Sequence, residues 1–587
     1  MHLRSISSRL CALMALAGPA LLAAEPATAA APTAPRPVIA LNQVGFLTAQ
    51  PKRFTAPLTP DGTAFHIRRA DRGGVLFKGT VTSGIGDFSA FRPADSADTY
   101  VAELAGLDRI GAPISSDPFL ITTNLWQEQY WQVATDFMVD CRSVTGTHPS
   151  AFGGGAWRDS TYYAFEGPSL LLLLAADPAR VAAQPRQIDW AADRARVLAP
   201  DFPYDAKTPE SDGALEATRR YYTEFAPPAA DAPDLVKLIH WAYGYILQRP
   251  ASKDPSGDPA PKKIHSQHVE QFAYLLHHWP LVEKWLPAEF RVRCLEFAFA
   301  QWESSGLLAI DPRWDPATYE EAPAAEAHTF AAGYLHPSKG RHAPGHSIAP
   351  NLMLYRAALA ERRADAPRYL AAAQAQAKWL VEKLDWNDPR TTKGHRMSEF
   401  RTMIGLVYFL QHHPEAAPAG LREKIAAWAR VAITRSENFW DFRRFDLETH
   451  WTIPRINEPG NLLGFTAAAL AASWVIDDPA LRARLREVGF AQTDAFFGRN
   501  PIRAVGVSHP KKSFPEVERA WPIFYKPDTC ARLEAVRGSI STNCPTEFYP
   551  YNPNSTAYRH PEGWVNFNAT WNVALAYAHL DQTGRRP

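Results

Sequence analysis

Hydrophobic periodicity changes once along this chain, at about residue 124, and no other feature constrains its fold as strongly. Between residues 37 and 122 the apolar residues form short runs, separated by turn signals such as Gly73-Gly74. Short strands at regular spacing predict an antiparallel β-sandwich of fewer than about 100 residues. The predicted strands include 66–69, 75–77, 100–104 and 119–121.

Beyond residue 124 the apolar residues recur three and four positions apart, which predicts about a dozen α-helices over the remaining ~450 residues. No convincing strand pattern interrupts them, so we expect a toroid of paired helices. The connecting segments 249–263 and 504–558 are too long to be simple connections, and long loops on a rigid scaffold commonly carry function. The predicted helices include 235–247, 269–278, 351–360, 369–384, 399–412, 421–434, 462–476, 481–497 and 565–580.

The first thirty residues have the pattern of a secretory signal peptide. Arg4 and Arg9 precede an apolar stretch over residues 10–24, and small residues follow at 27–31. The apolar stretch is too short to span a membrane comfortably, and no later segment approaches 18 continuous apolar residues. We therefore expect an exported protein, periplasmic or extracellular, without a membrane span in its mature chain.

Removal of the signal would also remove Cys11 and leave four cysteines. An even number in an exported protein permits two disulfides, and a bond between Cys530 and Cys544 would close a short loop. Four buried thiols are the alternative. The sequence leaves the pairing of Cys141, Cys294, Cys530 and Cys544 open.

The charge balance argues against nucleic acid and anionic membranes as partners. Lys and Arg number 62 and Asp and Glu number 61, so the net charge is +1, which favours a neutral partner. Aromatic residues make up 12% of the chain, with 18 Trp and 20 Tyr. They indicate either a large aromatic core or a cleft lined by flat apolar faces with polar edges.

Several common chemistries lack their motifs here. The local His pairs 265/268, 277/278, 342/346 and 412/413 have no Cys or carboxylate partner at a spacing typical of zinc sites. The sequence has no phosphate-binding Gly-rich loop followed by Lys and Ser or Thr, and no Gly-x-Ser-x-Gly motif. We predict no metal and no cofactor, and infer that carboxylates do the chemistry.

Two carboxylates stand out by their surroundings. Asp159 lies in a glycine-started, aromatic segment over residues 153–163, just before an apolar run at Leu170, and Glu562 lies in a loop that leads into the last predicted helix. Local chemistry alone favours the interpretation of each as a solvated loop carboxylate or a helix cap.

The motifs together resemble glycoside hydrolase family 9, the cellulase family in which an immunoglobulin-like sandwich precedes an (α/α)6 barrel. The resemblance covers nearly the whole mature chain. It implies a signal peptide at 1–30, a sandwich at 37–122 and a catalytic barrel at 124–583, with a polysaccharide or oligosaccharide substrate and a monomeric state. The matching segments are Leu41-Asn42-Gln43-Val44-Gly45-Phe46, Asp87-Phe88-Ser89, Phe497-Gly498-Arg499-Asn500-Pro501, His509-Pro510 and Asn552-Pro553-Asn554.

The most specific match is at the C-terminal end of the chain. The family ends its barrel with a Glu four positions before an Asn-aromatic-Asn-Ala sequence, and Glu562 stands four positions before Asn566-Phe567-Asn568-Ala569. That Glu is the family's general acid. The resemblance therefore implies that Glu562 is the proton donor.

The first carboxylate motif departs from the family pattern. Family members have Gly-Gly-Trp-x-Asp-Ala-Gly-Asp, in which the second Asp is the general base. With Trp157 as the anchor, Asp159 matches the first Asp, and Tyr162 stands at the position of the base. The inverting mechanism needs a second carboxylate to activate water on the face opposite the proton donor.

Three hypotheses account for this departure. Asp159 itself acts as the base or holds the water, or Glu458, in a segment where the family has Trp-Gly-Ser-Asn, replaces it. Alternatively the pair is lost, and the protein binds glycans without cleaving them or uses Tyr162 or Tyr163 as an acid or base. The first hypothesis predicts an inverting glycosidase that acts on a β-linked glucan or a related glycan.

Aromatic residues beside the candidate carboxylates suit a carbohydrate substrate. Sugar rings present apolar C–H faces that stack on aromatic side chains, while polar side chains bind their hydroxyls. The same aromatics could instead pack the inner helices of the barrel. The predicted substrate-binding residues are Trp157, Tyr162, Tyr163, His509, Tyr558 and Trp564.

Overall fold

The structure is a computed structural model, and its described residues within 36–587 form one compact unit. Every structural statement below concerns these described residues. They are residues 39–42, 44–57, 59–71, 73–95, 97–107, 111, 113–146, 156–157, 165–204, 209–248, 266–303, 345–387, 398–443, 458–499 and 565–587.

The strands all lie in the N-terminal part of the described chain and follow one hydrogen-bonded path, β1-β8-β6-β3-β4-β5-β2, with β7 paired to β6. All pairs are antiparallel except β1 with β8. This parallel pair departs from the predicted antiparallel pattern, and the six intervening strands supply the long connection that parallel strands need. The strands are β1 (Gly45–Leu47), β2 (Arg53–Thr55), β3 (Ala64–Arg69), β4 (Val75–Thr82), β5 (Ile85–Asp87), β6 (Thr99–Leu107), β7 (Pro113–Ser115) and β8 (Phe119–Thr122).

Strand alternation gives this sheet its own aromatic core. On β3, Phe65 and Ile67 are fully buried while the residues between and beside them are partly or fully exposed, as the two-residue period of a half-buried strand requires. Phe46 meets the rings of Phe88 and Phe119 edge to face at 5.3 and 5.5 Å. This core is separate from the main core formed by the helices.

Seventeen α-helices follow in the described residues, and their order agrees with the helical periodicity of the sequence. They are α1 (Leu125–Gln129), α2 (Trp131–Asp140), α3 (Glu166–Ala176), α4 (Pro178–Ala183), α5 (Trp190–Leu198), α6 (Pro209–Glu224), α7 (Asp234–Gln248), α8 (Ser266–His277), α9 (Trp279–Val282), α10 (Ala288–Gln301), α11 (Ile348–Ala360), α12 (Ala366–Lys383), α13 (Ser398–His412), α14 (Leu421–Thr434), α15 (Glu458–Ser473), α16 (Pro479–Phe496) and α17 (Val565–Thr583).

Six of the described helices close a ring. Each packs against the next in the order α3, α8, α11, α13, α15, α17 and back to α3, while α7, α10, α12, α14, α16 and α2 pack outside them. Outer and inner helices alternate along the chain. The fold class predicted from the sequence, an (α/α)6 toroid preceded by a small all-β sandwich, is confirmed.

Nearly all described side chains of the inner helices α3 and α15 are buried, as expected of helices that have neighbours all around them. In α15 a run of Ala residues is fully buried. Gly464 makes room for its neighbours, because a Cβ atom there would lie 2.6 Å from the Phe400 ring of α13 and 2.7 Å from Thr570 of α17. Small residues thus allow α13, α15 and α17 to approach closely.

A buried ion cluster joins the sheet to the helices. Asp441 accepts from Arg53 of β2 at 2.5 Å, from Arg484 of α16 at 2.8 Å and from Arg499 at 2.7 Å. Arg499 also donates to the Thr55 hydroxyl at 3.0 Å. We call Asp441, Arg53, Arg484 and Arg499 the Asp441 cluster. It fixes β2 against the outer helix α16 through charge-assisted hydrogen bonds.

A second polar contact reinforces the same junction. The Asn42 amide donates to Asp494 of α16 at 2.9 Å, and both side chains are buried. Burial raises the pKa of Asp494 to about 7, although the hydrogen bond from Asn42 and the charge of Arg499 act against this rise. The sheet is therefore attached to the helical ring by specific polar contacts in addition to apolar packing.

Of the four cysteines that follow the predicted signal, Cys141 and Cys294 lie in the described part of the chain. Both are buried, and Cys294, on α10, has a free thiol. Burial raises the pKa of Cys294 well above its ordinary value. The predicted Cys530–Cys544 pair lies outside the described residues.

Candidate active site

The residue before the inner helix α3 contacts two other inner helices. Phe165, immediately before α3, packs edge to face on Tyr274 of α8 and Phe400 of α13, with centroids 5.3 Å apart in both pairs. His277 and His412 are the last residues of α8 and α13, and their ring centroids are 6.4 Å apart. The C-terminal ends of α8 and α13 therefore lie close together.

In the sequence the candidate catalytic residues adjoin the N-terminal ends of three inner helices. Asp159, Tyr162 and Tyr163 precede α3, and Glu562 precedes α17 by three residues; all four lie outside the described residues. Glu458 is the first residue of α15, and its side chain is not among those described. Of the remaining predicted substrate-binding residues, His509, Tyr558 and Trp564 also lie outside the described residues.

The ring brings the helices next to these candidate residues together. α17 packs against both α3 and α15, so the helix that follows Glu562 is a direct neighbour of the helix that follows Asp159 and of the helix that begins with Glu458. In the sequence α3 and α15 are separated by almost 300 residues, and α15 and α17 by about 90. The catalytic roles of Glu562, Asp159 and Glu458 stay predictions.

Trp157 is the one predicted substrate-binding residue whose side chain the structure describes. It is buried, with 1% of its surface exposed, and its ring N–H donates to the Met138 carbonyl at 2.7 Å. The preceding residue, Ala156, accepts from the Trp241 ring N–H at 3.1 Å. These contacts fix the start of the Asp159 segment against α2 and α7, and a direct contact of Trp157 with substrate stays a prediction.

Two buried carboxyl groups and one guanidinium cluster near the N-terminal ends of α3, α8 and α13. Glu166 begins α3, Glu270 lies in the second turn of α8, and Arg401 lies in the first turn of α13. Arg401 approaches the Glu270 carboxylate to 3.5 Å, and its guanidinium lies over the Phe165 ring at 4.9 Å. We call Glu166, Glu270 and Arg401 the Glu270 cluster.

Burial controls the protonation of this cluster. It raises the pKa of Glu166 to about 8 and that of Glu270 to about 7, while the charge of Arg401 opposes both shifts. Perturbed carboxyl groups of this kind concentrate at functional sites. The sequence did not reveal the cluster, because its members are separated by more than 100 residues and each occupies an ordinary helical position.

The His pairs noted in the sequence do not form a metal site in the described part of the chain. His277, His278, His412 and His413 gather at the C-terminal ends of α8 and α13. Burial lowers the pKa of His277 to about 2 and that of His278 to about 4. Across the described residues, no group of three or more His, Cys, Asp or Glu is placed to hold a metal ion.

Among the helices that the structure describes, none combines the length and apolar character needed to cross a membrane. No protein-family model matches the sequence, and no curated protein matches it.

Solved structures do match the fold. A single mutant of a thermostable endoglucanase from Alicyclobacillus acidocaldarius has 16% sequence identity and a TM-score of 0.52, covering 92% of this chain and 99% of its own. AaCel9A in complex with cellobiose-like isofagomine has 15% identity, the same coverages and the same TM-score. The chain has the fold of the family 9 endoglucanases. A Bacteroides ovatus family 9 protein has 14% identity over 93% of this chain and 99% of its own, with a TM-score of 0.49.

Proposed function

We propose that the chain is an exported glycoside hydrolase of the cellulase type. The substrate is a β-linked glucan or a related polysaccharide or oligosaccharide. The main support is the neighbouring arrangement of α3, α15 and α17, the helices that adjoin the segments of Asp159, Glu458 and Glu562. The similarity to an endoglucanase of the same fold supports the same reaction class. The proposal includes removal of residues 1–30 and domains at 37–122 and 124–583.

The proposed mechanism is hydrolysis with inversion. Glu562 donates a proton to the departing glycosidic oxygen, and Asp159 accepts a proton from the water that attacks the opposite face of the sugar. This mechanism requires the two carboxyl groups to stand roughly 6.5–9.5 Å apart. If Asp159 only holds the water, Glu458 at the start of the adjacent helix α15 is the substitute base.

The near-neutral net charge and the aromatic side chains near the candidate carboxylates favour an uncharged glycan. Tyr162, Tyr163, Tyr558 and Trp564 would stack on sugar rings, with His509 binding a hydroxyl group. The bound molecule in the AaCel9A structure resembles cellobiose, which supports glucose units as the first candidates.

One observation favours a second function. Tyr162 occupies the position at which the family has its general base. A chain that lacks this base would bind glycans on the same surface without cleaving them. The two functions differ in whether new reducing ends form.

The deciding experiment measures reducing-end release from a panel of plant and microbial polysaccharides, alongside binding to the same polysaccharides by affinity electrophoresis. We expect release from at least one β-glucan. Binding without release would establish the glycan-binding alternative, and neither binding nor release would contradict both functions.

The same assay identifies the base. On the best substrate, Asp159→Asn is expected to reduce kcat by about 100-fold or more, as loss of a general base usually does. Glu458→Gln is the matched variant and should have a small effect. A mild effect of Asp159→Asn together with a severe effect of Glu458→Gln would assign the base to Glu458.

A further inference from the structure

Within the described residues the Glu270 cluster places two buried carboxyl groups beside one guanidinium, and burial raises the pKa of both carboxyl groups. Glu166 and Glu270 are each 1% exposed and Arg401 is 5% exposed. The Glu270 Oε2 atom has no hydrogen-bond partner among the described residues, and its ion pair with Arg401 is long, at 3.5 Å. Such a carboxylate destabilises the fold when it is ionised, because burial removes its hydration and a long ion pair compensates for little of that loss.

Stability alone does not explain such a cluster. Apolar side chains of similar volume in place of a buried ionic group are often neutral or stabilising. The Phe165 ring, which lies against Arg401, packs on Tyr274 and Phe400, so apolar side chains already adjoin the cluster. Buried ionisable groups with perturbed pKa values concentrate where function requires them.

The position of the cluster indicates that it fixes the first turn of α3. Glu166 is the first residue of α3, and the adjacent Phe165 ring lies under the Arg401 guanidinium. Arg401 is in turn paired with Glu270 of α8. The first turn of α3 is therefore fixed from two other inner helices, α8 and α13.

Close packing of α3 on α7, and a hydrogen bond from α7 to α8, also restrain the start of α3. A Cβ atom on Gly167 would lie 2.5 Å from the Tyr243 hydroxyl oxygen, so glycine allows α3 to approach α7 closely at this turn. The Tyr243 hydroxyl donates to the Gln271 carbonyl of α8 at 3.0 Å. The start of α3 thus has little freedom to shift relative to α8.

We propose that Glu270 is a positioning residue for the proposed glycosidase, acting through Arg401 to hold the first turn of α3, the helix that continues from the Asp159 segment. This inference rests on the proposed function. Glu270 itself need not touch substrate, and its burial fits that role.

The test is Glu270→Gln in the full chain, assayed on the substrate that the wild-type protein cleaves best. Gln keeps the volume of Glu but removes the charge that orients Arg401. We expect kcat to fall about 10- to 100-fold, because small displacements of a catalytic group have effects of this size. KM should change less than about threefold, since uniform substrate binding is not affected.

Asp494→Asn is the matched control. Asp494 is also a fully buried carboxyl whose pKa is raised to about 7, but it lies at the sheet junction on the outer helix α16. The Asp494→Asn substitution should lower the thermal midpoint of the protein while leaving kcat of the folded protein unchanged. If Glu270→Gln does not fold, Arg401→Lys is the second variant, because Lys keeps the positive charge but lacks the forked geometry of the guanidinium. The same fall in kcat is expected for this variant.

Two results would overturn the inference. Wild-type kcat in the folded Glu270→Gln protein, or an equal loss of kcat in Asp494→Asn, would make Glu270 merely structural while the proposed function stands. A wild-type chain that releases no sugar from any substrate would overturn the proposed function and this inference with it.

Discussion

Two buried ion clusters in this molecule balance their charges in opposite ways. In the Asp441 cluster one carboxylate meets three arginines, and their charges outweigh the effect of burial and lower the pKa of Asp441 to about 2. In the Glu270 cluster two carboxylates share Arg401, and burial prevails, raising both carboxyl pKa values. The carboxyl groups are almost fully buried in both clusters, so the ratio of cations to carboxyl groups decides their protonation state.

This difference distinguishes the Asp441 cluster, which stabilises the contact between the sheet and the helices, from the Glu270 cluster, which is a candidate for a role in function. The Asp441 cluster satisfies its carboxylate fully and attaches β2 to the helical ring. In the Glu270 cluster the Glu270 Oε2 atom has no hydrogen-bond partner among the described residues, and its ion pair with Arg401 is long, at 3.5 Å. Buried polar groups with incomplete hydrogen bonding are expected at functional sites, whereas buried polar groups with a structural role tend to have all their partners.

Asp441→Asn should produce the largest loss of stability. The substitution leaves three arginines around a neutral amide, and breaking a buried ion pair in this way typically costs about 3–5 kcal/mol of unfolding free energy. Urea unfolding checks this value. Glu487→Gln is the control, because Glu487 pairs with Arg484 at 2.8 Å but is one-third exposed; its cost should stay below about 1 kcal/mol. Equal losses in both variants would contradict the contrast.

The two clusters should also give stability opposite dependences on pH. The pKa of Glu270 is about 7 in the folded state against an ordinary 4.5, so its stabilising contribution is lost as pH rises between these values. Asp441, with a lowered pKa, loses its contribution as pH falls from 3.8 towards about 2. Glu270→Gln should therefore flatten the decline of unfolding free energy between about pH 5 and 7, by about 1 kcal/mol per pH unit. An unchanged slope, measured by urea unfolding across this range, would contradict the raised pKa.

A smaller effect is expected at the start of α16, the helix that carries Arg484 and Asp494. The Asp478 carboxylate accepts from the backbone N–H groups of Ala480 and Leu481 at 2.9 and 3.1 Å. Asp478→Ala should cost about 1 kcal/mol in urea unfolding, which is the usual value of an N-cap. The adjacent Asp477 caps nothing and is 86% exposed, so an Asp477→Ala loss of the same size would rule out the capping explanation.

Helices with strong apolar patterns were predictable from the sequence, and helices with weak ones were not. The predicted helix 421–434 coincides with α14, and the Ala-rich run at 462–476 overlaps α15. α10 was missed because its sequence alternates apolar and charged residues and buries only Phe290, Cys294 and Ala298, one stripe with a four-residue period. Such a narrow stripe is easily mistaken for strand alternation.

The candidate site was predictable only where local motifs exist. Glu562 and Asp159 lie in segments with recognisable neighbours, whereas Glu270 lies in a helix whose sequence shows nothing unusual. Its significance depends on Arg401, which lies 131 positions later in the sequence and approaches Glu270 because the inner helices close into a ring. Tertiary contacts of this kind leave no spacing signal in a single sequence.

The central claim is that this chain hydrolyses a glycan with Glu562 as the proton donor. Glu562→Gln keeps the volume of the side chain and removes only the transferable proton, so the most direct measurement is kcat for this variant and the wild type at equal concentrations of folded protein. The account predicts a loss of at least about 100-fold with an unchanged thermal midpoint. Retention of most of the activity in the folded variant would contradict it.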